Sequence, residues 1–289
     1  MRREMSYFRP DTLANALDLL AGHEDAACLS GGATLVAMMN ADLVSPSALV
    51  SLADIPELRQ AGRHKDGTVY IGAMRRHRQT AFETDMRGSQ TVVSEAAAAI
   101  ANPPVRNMGT IGGSIAFADP AADYPPALVA ANAVIEVASA SGRREIPAAE
   151  FFTDWYETAL APSEMVTKVT LPPGPSGALG RYHKLARVSG DFAIVSVALV
   201  LAMAAGACVH IAIVIGGCGP TPARLTEVEA ELVGGDLADD AVAKAGAALA
   251  EVLDPVDDVR ASADYRRKVA PRLIARAITE AKAELASSG

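Results

Sequence analysis

Two glycine-rich segments hold the residue types best suited to chemistry in this sequence, Ser30-Gly31-Gly32-Ala33-Thr34 and Gly109-Thr110-Ile111-Gly112-Gly113-Ser114. Glycine accepts positive φ and, lacking Cβ, lets a bulky ligand approach main-chain N–H groups, so such a run can hold a pyrophosphate without a cluster of lysines. The hydroxyls of Ser30, Thr34, Thr110 and Ser114 offer further donors. A helix is expected after the first segment, where unpaired amides and the dipole favour an anion. Neither segment spells G-x-G-x-x-G or the phosphate loop G-x-x-x-x-G-K-S/T, which argues against a nicotinamide Rossmann domain and against a nucleotide triphosphatase. A single Gly-Gly reads as a tight turn with no ligand. Two of them, each read as following an apolar strand, shift the balance towards a phosphate-bearing ligand.

Other chemistries find little support. Cys28, Cys208 and Cys218 form no C-x-x-C pair, so no disulfide framework, zinc site or iron–sulfur site is read here, and a reducing compartment fits. His23, His64, His77, His183 and His210 make no H-E-x-x-H or close pair and read as surface or packing residues. No metal site is expected. The net charge of −8 argues against a nucleic-acid partner, and the 50% apolar, 21% charged composition describes a packed globular protein.

The segments must be positioned by regular elements. Leu13, Leu17 and Leu20 recur at helical spacing between Pro10-Asp11-Thr12 and Gly22. A strand at Ala26–Leu29, a helical patch through Leu35, Met38 and Met39, and a strand at Leu49–Leu52 complete a small α/β unit. Beyond the charged stretch Arg59–Lys65 come a strand at Val69–Gly72, an alanine-rich helix at Val92–Ile100, and a hairpin of Ala133–Val137 and Arg143–Ile146 turning at Ser141-Gly142. Pro172-Pro173-Gly174-Pro175-Ser176-Gly177 is the clearest linker. Phe192–Gly217 is nearly uncharged and long enough to span a membrane, but Ala204-Ala205-Gly206 interrupts it and both halves are rich in Val and Ile, so a β-hairpin is expected. Helices should cover Ala241–Val252 and Asp264–Leu285, the latter kinked or split at Pro271. No apolar stretch follows the first basic residues, so no signal peptide is expected. These features give domains over residues 1–58, 59–173 and 178–289, without an internal repeat.

The second glycine segment lies inside the longer string Asn102-Pro103-Pro104-Val105-Arg106-Asn107-Met108-Gly109-Thr110-Ile111-Gly112-Gly113-Ser114-Ile115-Ala116-Phe117-Ala118-Asp119-Pro120-Ala121-Ala122-Asp123-Tyr124-Pro125. It closely resembles the signature R-N-x-G-T-I-G-G-(N/S/D)-x-x-x-A-(D/S)-P-x-x-D-x-P of the FAD-binding middle subunits of molybdenum hydroxylases of the aerobic carbon monoxide dehydrogenase and xanthine dehydrogenase family. The resemblance runs from end to end. Tyr7-Phe8-Arg9-Pro10, Ser30–Leu35, Ile146-Pro147 with Phe151-Phe152, Arg181–Arg187 with Gly190-Asp191-Phe192-Ala193, Gly216-Gly217-x-Gly219-x-x-Pro222-x-Arg224, and Asp264-Tyr265-Arg266-Arg267 all have counterparts.

This resemblance implies an α+β chain. It would comprise a two-domain FAD-binding fold of the PCMH/vanillyl-alcohol-oxidase type, with a small N-terminal α/β domain and a mixed-sheet middle domain, then a C-terminal domain of antiparallel sheet and helices. It implies FAD on this chain, and a molybdenum-pterin cofactor and [2Fe–2S] clusters on a large and a small partner subunit, assembled as a dimer of heterotrimers. The chain's task would be cytoplasmic electron transfer to an external acceptor, with peripheral contact at the inner membrane through the complex as a variant. By position, the backbones of Ser30, Gly31, Gly32, Ala33 and Thr34 and of Thr110, Ile111, Gly112, Gly113 and Ser114 would hold the FAD pyrophosphate between the first two domains, and Leu29, Asn107 and Ala118 would also belong to the cofactor site. Asp123 would lie near the sugar hydroxyls, where an acceptor-only group is apt, although a helix cap before Pro125 is an alternative use. Lys184 would lie near the isoalloxazine and Tyr182 would stack on it. No residue here is assigned to substrate chemistry. Ser30 stands where Ala is usual, Ala33 where a polar side chain is common, and Asn102-Pro103-Pro104 is a less common lead-in. A non-redox nucleotide-binding scaffold and a stand-alone FAD oxidase remain as other readings, and the substrate of the whole enzyme lies outside this sequence.

Overall fold

The computed structural model describes residues 5–288. Its first unit comprises β1 (Ser6–Phe8), α1 (Leu13–Gly22), β2 (Ala26–Leu29), α2 (Leu35–Asn40) and β3 (Ala48–Ser51). The strands form a parallel sheet in the order β1-β3-β2, so the chain must cross over between neighbours, and the helices supply those crossovers. Thr12 starts α1 by accepting the Asn15 N–H at 3.2 Å. Leu13, Ala16, Leu17 and Leu20 then bury one face of α1 against Val50, Leu52, Ile55 and Leu58, in a core that also takes in Met74, Ala138 and Met165 from the next unit.

The middle unit holds β4 (Ala61–Arg63), β5 (Val69–Gly72), α3 (His77–Ala81), α4 (Thr91–Ala99), α5 (Pro103–Met108), α6 (Ile111–Phe117), α7 (Tyr124–Ala130), β6 (Val134–Ser139), β7 (Gly142–Pro147), α8 (Ala148–Phe151), β8 (Phe152–Asp154), β9 (Glu157–Thr158) and β10 (Met165–Leu171). Its main sheet runs β4-β5-β10-β6-β7 with every neighbouring pair antiparallel. This corrects the expectation of a mixed sheet. The long helical excursion between β5 and β6 returns β6 beside β10 rather than beside β5, so no parallel pair forms.

The last unit holds β11 (Leu179–Leu185), β12 (Val195–Ala204), β13 (Ala207–Gly216), β14 (Ala223–Arg224), α9 (Thr226–Leu232), α10 (Asp239–Glu251) and α11 (Ala263–Ser288). Strands β11 to β14 pair antiparallel in chain order. On β12 and β13, Ala198, Val200, Ala202, Ala212 and Val214 join the core of the middle unit. Val197, Leu199, Leu201, Ile211, Ile213 and Ile215 face the core shared with α10 and α11. A sheet buried on both faces accounts for the uninterrupted apolar run, which turns at Ala205 (φ 50°) and Gly206 (φ 83°). Among the described residues no helix is long and apolar enough to cross a membrane. Helix α11 is not split at Pro271. The proline packs on α10 at Gly246, where a Cβ would lie 3.2 Å from its own Cβ, and burial of Ala270, Ile274, Ala277, Ile278 and Ala281 holds the helix together across the missing hydrogen bond.

Candidate functional site

The two glycine segments meet edge to edge. Ser30 Oγ lies 2.6 Å from Thr110 Oγ1 across 80 residues of sequence, and 3.0 Å from Met74 Sδ. Gly31 presses on the other backbone so closely that a Cβ would fall 2.2 Å from the Met108 carbonyl oxygen and 2.8 Å from Gly109 Cα. The glycine at 31 is thus a packing requirement between segments. At Gly32 the requirement is conformational, since its φ is +76°.

The first segment presents a row of donors. Among the described residues none of the amides from Ser30 to Thr34 donates a hydrogen bond. A chain that turns through Gly32 at positive φ can aim successive N–H groups into one concavity. Helix α2 is only six residues long, so the amides themselves matter more than its dipole. Thr34 sits at its start, exposed, with no cap bond from its side chain.

The second segment is built differently from its sequence reading. It follows helix α5 rather than a strand, because Asn102 Oδ1 caps α5 by accepting the Val105 N–H at 3.1 Å and Pro103 takes the first helical position. Gly112, Gly113 and Ser114 lie inside α6, none of them at positive φ. Their amides are engaged. Ile111 N–H donates to Arg75 O at 3.0 Å, Gly112 N–H to Ala73 O at 2.9 Å, Ser114 N–H to Thr110 O at 3.0 Å, and Gly113 N–H to Thr110 Oγ1 at 3.2 Å. Gly112 is needed for contact with Ala73, whose Cβ would be 2.5 Å from a Cβ at 112. What this segment turns towards the first is the Thr110 hydroxyl and the exposed Cα of Gly113. Ile111 is in the core, Ser114 is half-buried, and Ala118 ends α6 in the left-handed region at φ 50°. Asn107 is exposed, its amide folded back on Pro103 O at 2.9 Å. Leu29 ends β2, and Ala33 is half-buried beside Gly32.

Asp123, Tyr182 and Lys184 form one buried cluster. Tyr182 OH donates to Asp123 Oδ1 at 2.7 Å, and Lys184 Nζ donates to Ala99 O at 2.7 Å and lies 3.0 Å from Asp123 Oδ1. The side chains of Lys184 and Asp123 are 9% and 6% exposed, so this ion pair is shielded from water. Asp123 makes no cap bond to α7, which removes that alternative use. Burial pushes the Asp123 carboxyl up, opposed by the Lys184 charge and the Tyr182 hydrogen bond, and burial raises the Tyr182 phenol well above its ordinary value. Glu95 braces the strand by accepting the Tyr182 N–H at 2.8 Å and the Arg181 guanidinium at 2.7 Å.

His77 and Tyr124 connect this cluster to the second segment. From sequence His77 is expected to be a surface or packing residue, and the run of Arg and Gln around it hides how deeply it is buried. In the fold it is 5% exposed, its N–H donates to Gly109 O at 3.0 Å, and its ring fills the place of a Gly109 Cβ, which would lie 2.3 Å from Nε2. Nδ1 is 3.3 Å from the hydroxyl of fully buried Tyr124, the neighbour of Asp123. Burial, helped by the nearby Arg106 charge, holds the His77 pKa down at about 4. The unfolded chain therefore binds a proton that the fold rejects. Stability should be complete above about pH 6.5 and fall on acidification towards pH 4, by on the order of 3 kcal/mol from this residue. Denaturant midpoints measured from pH 8 to 4 should show this loss, and His77→Gln should flatten it. An equal slope in both proteins would show that His77 is not responsible.

Residues 3–174 match the family model described as the FAD binding domain in molybdopterin dehydrogenase, and residues 180–281 match the CO dehydrogenase flavoprotein C-terminal domain. The chain is 35% identical over 277 residues to the 6-hydroxypseudooxynicotine dehydrogenase complex subunit alpha of Paenarthrobacter nicotinovorans, covering 95% of this chain and 93% of that one. It is 36% identical over 279 residues to the carbon monoxide dehydrogenase medium chain of Afipia carboxidovorans, covering 96% of each. A solved structure of carbon monoxide dehydrogenase from Hydrogenophaga pseudoflava superposes with a TM-score of 0.93 at 34% identity, covering 98% of this chain and 99% of that one.

Proposed function

The chain belongs to the FAD-binding medium subunits of molybdenum hydroxylases of the carbon monoxide dehydrogenase and xanthine dehydrogenase family, and on that footing we propose how its own residues hold FAD. It is the flavoprotein component of an oxidoreductase and works within a multi-subunit complex. The fit of FAD rests above all on the row of amides from Ser30 to Thr34, which among the described residues have no acceptor and which border the Thr110 hydroxyl. A diphosphate supplies the acceptors these groups lack. When bound, FAD supplies a ring able to take electrons one at a time from partner iron–sulfur clusters and pass them on singly or in pairs.

The chain's residues divide the remaining work. Ser30–Thr34, with Leu29 behind them, bind the diphosphate from one side, and Thr110, Gly113 and Ser114 bound it from the other. Gly31, Ile111, Gly112 and Ala118 hold the two segments at that spacing, and Asn107 closes α5 at the rim. Tyr182 and Lys184 form the ring-side wall, with Asp123 fixing both and lying near the sugar hydroxyls. Because Asp123 neutralises Lys184 locally, the wall presents an ion pair rather than a lone cation. The partners in this reading are a large molybdenum-cofactor subunit and a small [2Fe–2S] subunit in a dimer of heterotrimers, working in the cytoplasm with an external acceptor.

The purified complex should show flavin absorption and release FAD on denaturation. Chromatography of the released flavin checks it. FMN, or no flavin in a well-folded complex, sinks the reading, and a colourless chain that still assembles with partners would favour a scaffold instead.

A further inference from the structure

We propose that Ser30 is a positioning residue whose hydroxyl aims the Thr110 hydroxyl into the diphosphate site between the two glycine segments. The inference rests on the FAD reading above and adds to it a specific hydrogen-bond device. Thr110 is 3% exposed, and its Oγ1 already accepts the Gly113 N–H at 3.2 Å. Ser30 Oγ lies 2.6 Å from the same atom, so one of the two hydroxyls must donate to the other.

Only two arrangements are open to the pair. In one, Thr110 donates to Ser30 and Ser30 donates to Met74 Sδ at 3.0 Å. Thioether sulfur is a weak acceptor, so this arrangement is easily given up. In the other, Ser30 donates to Thr110, and the Thr110 hydrogen then needs a new acceptor. The space in front of the pair is open because residue 113 has no side chain. A Cβ there would lie 3.1 Å from Thr110 Oγ1 and 3.6 Å from Ser30 Oγ, and Gly113 itself is exposed. A phosphate oxygen entering that space meets the Thr110 hydroxyl as a donor, with Ser30 and Gly113 both donating to Thr110 from behind. Donors feeding a hydroxyl in this way polarise it and fix its direction. Alanine at position 30 would supply neither donor nor direction. Ser30 therefore ties the first segment to the second through Thr110 at the moment the ligand arrives.

The test is the rate at which FAD leaves the assembled enzyme, followed by the rise in flavin fluorescence on release, in wild type, Ser30→Ala, Thr110→Ser, Thr110→Val and the two double variants. Losing one net hydrogen bond corresponds to about a three- to tenfold faster release in Ser30→Ala. Thr110→Ser keeps the hydroxyl and the cap of α6, so removing Ser30 from it should again speed release. In Thr110→Val, removing Ser30 should have no further effect. Ser30→Ala also removes the Ser30–Thr110 bond of the ligand-free fold, so the thermal midpoint of the FAD-depleted complex should fall slightly, and by the same amount in the Thr110→Ser background; faster release from complexes that are fully folded at the assay temperature separates ligand positioning from folding. Equal release rates in wild type and Ser30→Ala, or an undiminished effect of Ser30→Ala in the Thr110→Val background, would overturn the proposal while leaving FAD binding intact. Absence of FAD from the wild-type complex would instead remove the premise.

Discussion

Gly31→Val should leave a chain that retains almost no FAD. The Cβ alone would fall 2.2 Å from the Met108 carbonyl oxygen, 2.8 Å from Gly109 Cα and 2.9 Å from the Met108 carbonyl carbon. All three are backbone atoms, and the backbone around them is fixed, by the Gly109 N–H bond to Val105 O at 2.8 Å and by the His77 N–H bond to Gly109 O at 3.0 Å. No side chain can swing away to make room, so the segments must part. Overpacking in a close-packed interior costs about 1–3 kcal/mol even where side chains can adjust, and a clash with fixed backbone belongs at the upper end or beyond. Parting also breaks the Ser30–Thr110 contact and pulls the free amides away from the opposite wall, so a loss of about 3 kcal/mol in the ligand's own contacts corresponds to more than a hundredfold weaker binding. Gly113→Ala tests the other extreme. Its Cβ meets only Thr110 Oγ1 within 3.4 Å, so folding should be nearly unaffected while the methyl group occupies the open space in front of the hydroxyls. The measurement is the flavin-to-protein absorbance ratio of each purified complex, with circular dichroism to follow folding. Stoichiometric FAD in Gly31→Val would show that the segments do not need this contact to hold it.

Legibility in the sequence followed the range of the interactions involved. The hairpin of β12 and β13 was readable because two buried faces leave one long Val- and Ile-rich run, and Ala205-Gly206 marks its turn. Helix α1 was readable because Thr12 caps it and its leucines share one face. Asn102 followed by two prolines was also a local helix-start signal, and it shows why the second glycine segment follows α5 and not a strand. The pairing of the middle sheet was not legible, since β10 reaches both β5 and β6 across long stretches of chain and nothing local specifies which edge it joins. The same limit hid the role of each glycine. Composition shows that Gly31, Gly112 and Gly113 lack a side chain, but only the packed fold shows that the first two make room for protein and the third for open space. It also hid the partner of Lys184, which lies 61 residues away just before α7 and meets it only through the docking of β11 beside α4.

That partner changes what Lys184→Met should do. A lone cation about 4 Å from a flavin ring, at an effective dielectric of about 20, would contribute on the order of 4 kcal/mol to the anionic reduced form. Here Asp123 stands 3.0 Å from the ammonium, so the two opposite charges would largely cancel at a ring placed beside them. The first consequence of Lys184→Met is therefore in stability. Breaking a buried pair from one side typically costs about 3–5 kcal/mol, because the remaining charge is left without compensation. Asp123 can escape that cost by binding a proton, since burial already pushes its pKa up and Lys184 is the largest opposing influence. A carboxyl with a raised folded pKa gives its full stability below the unfolded value near 3.9 and loses it as pH rises through the folded value. The deficit of Lys184→Met against wild type should thus be small at about pH 4, grow as pH increases, and level off once Asp123 ionises. The flavin midpoint potential should follow the same pattern, little changed while Asp123 is protonated and lowered at higher pH, where an unpaired carboxylate faces the ring. Adding Asp123→Asn to Lys184→Met removes the carboxyl, so the double variant should recover much of the stability and lose the pH dependence of both quantities. Denaturant midpoints and spectroscopic potential titrations of the three proteins from pH 4 to 8 provide the comparison. A deficit that is flat with pH and unrelieved by Asp123→Asn would mean that the ion pair does not set the stability of this wall, and an unchanged potential at every pH would place Lys184 too far from the ring to tune it.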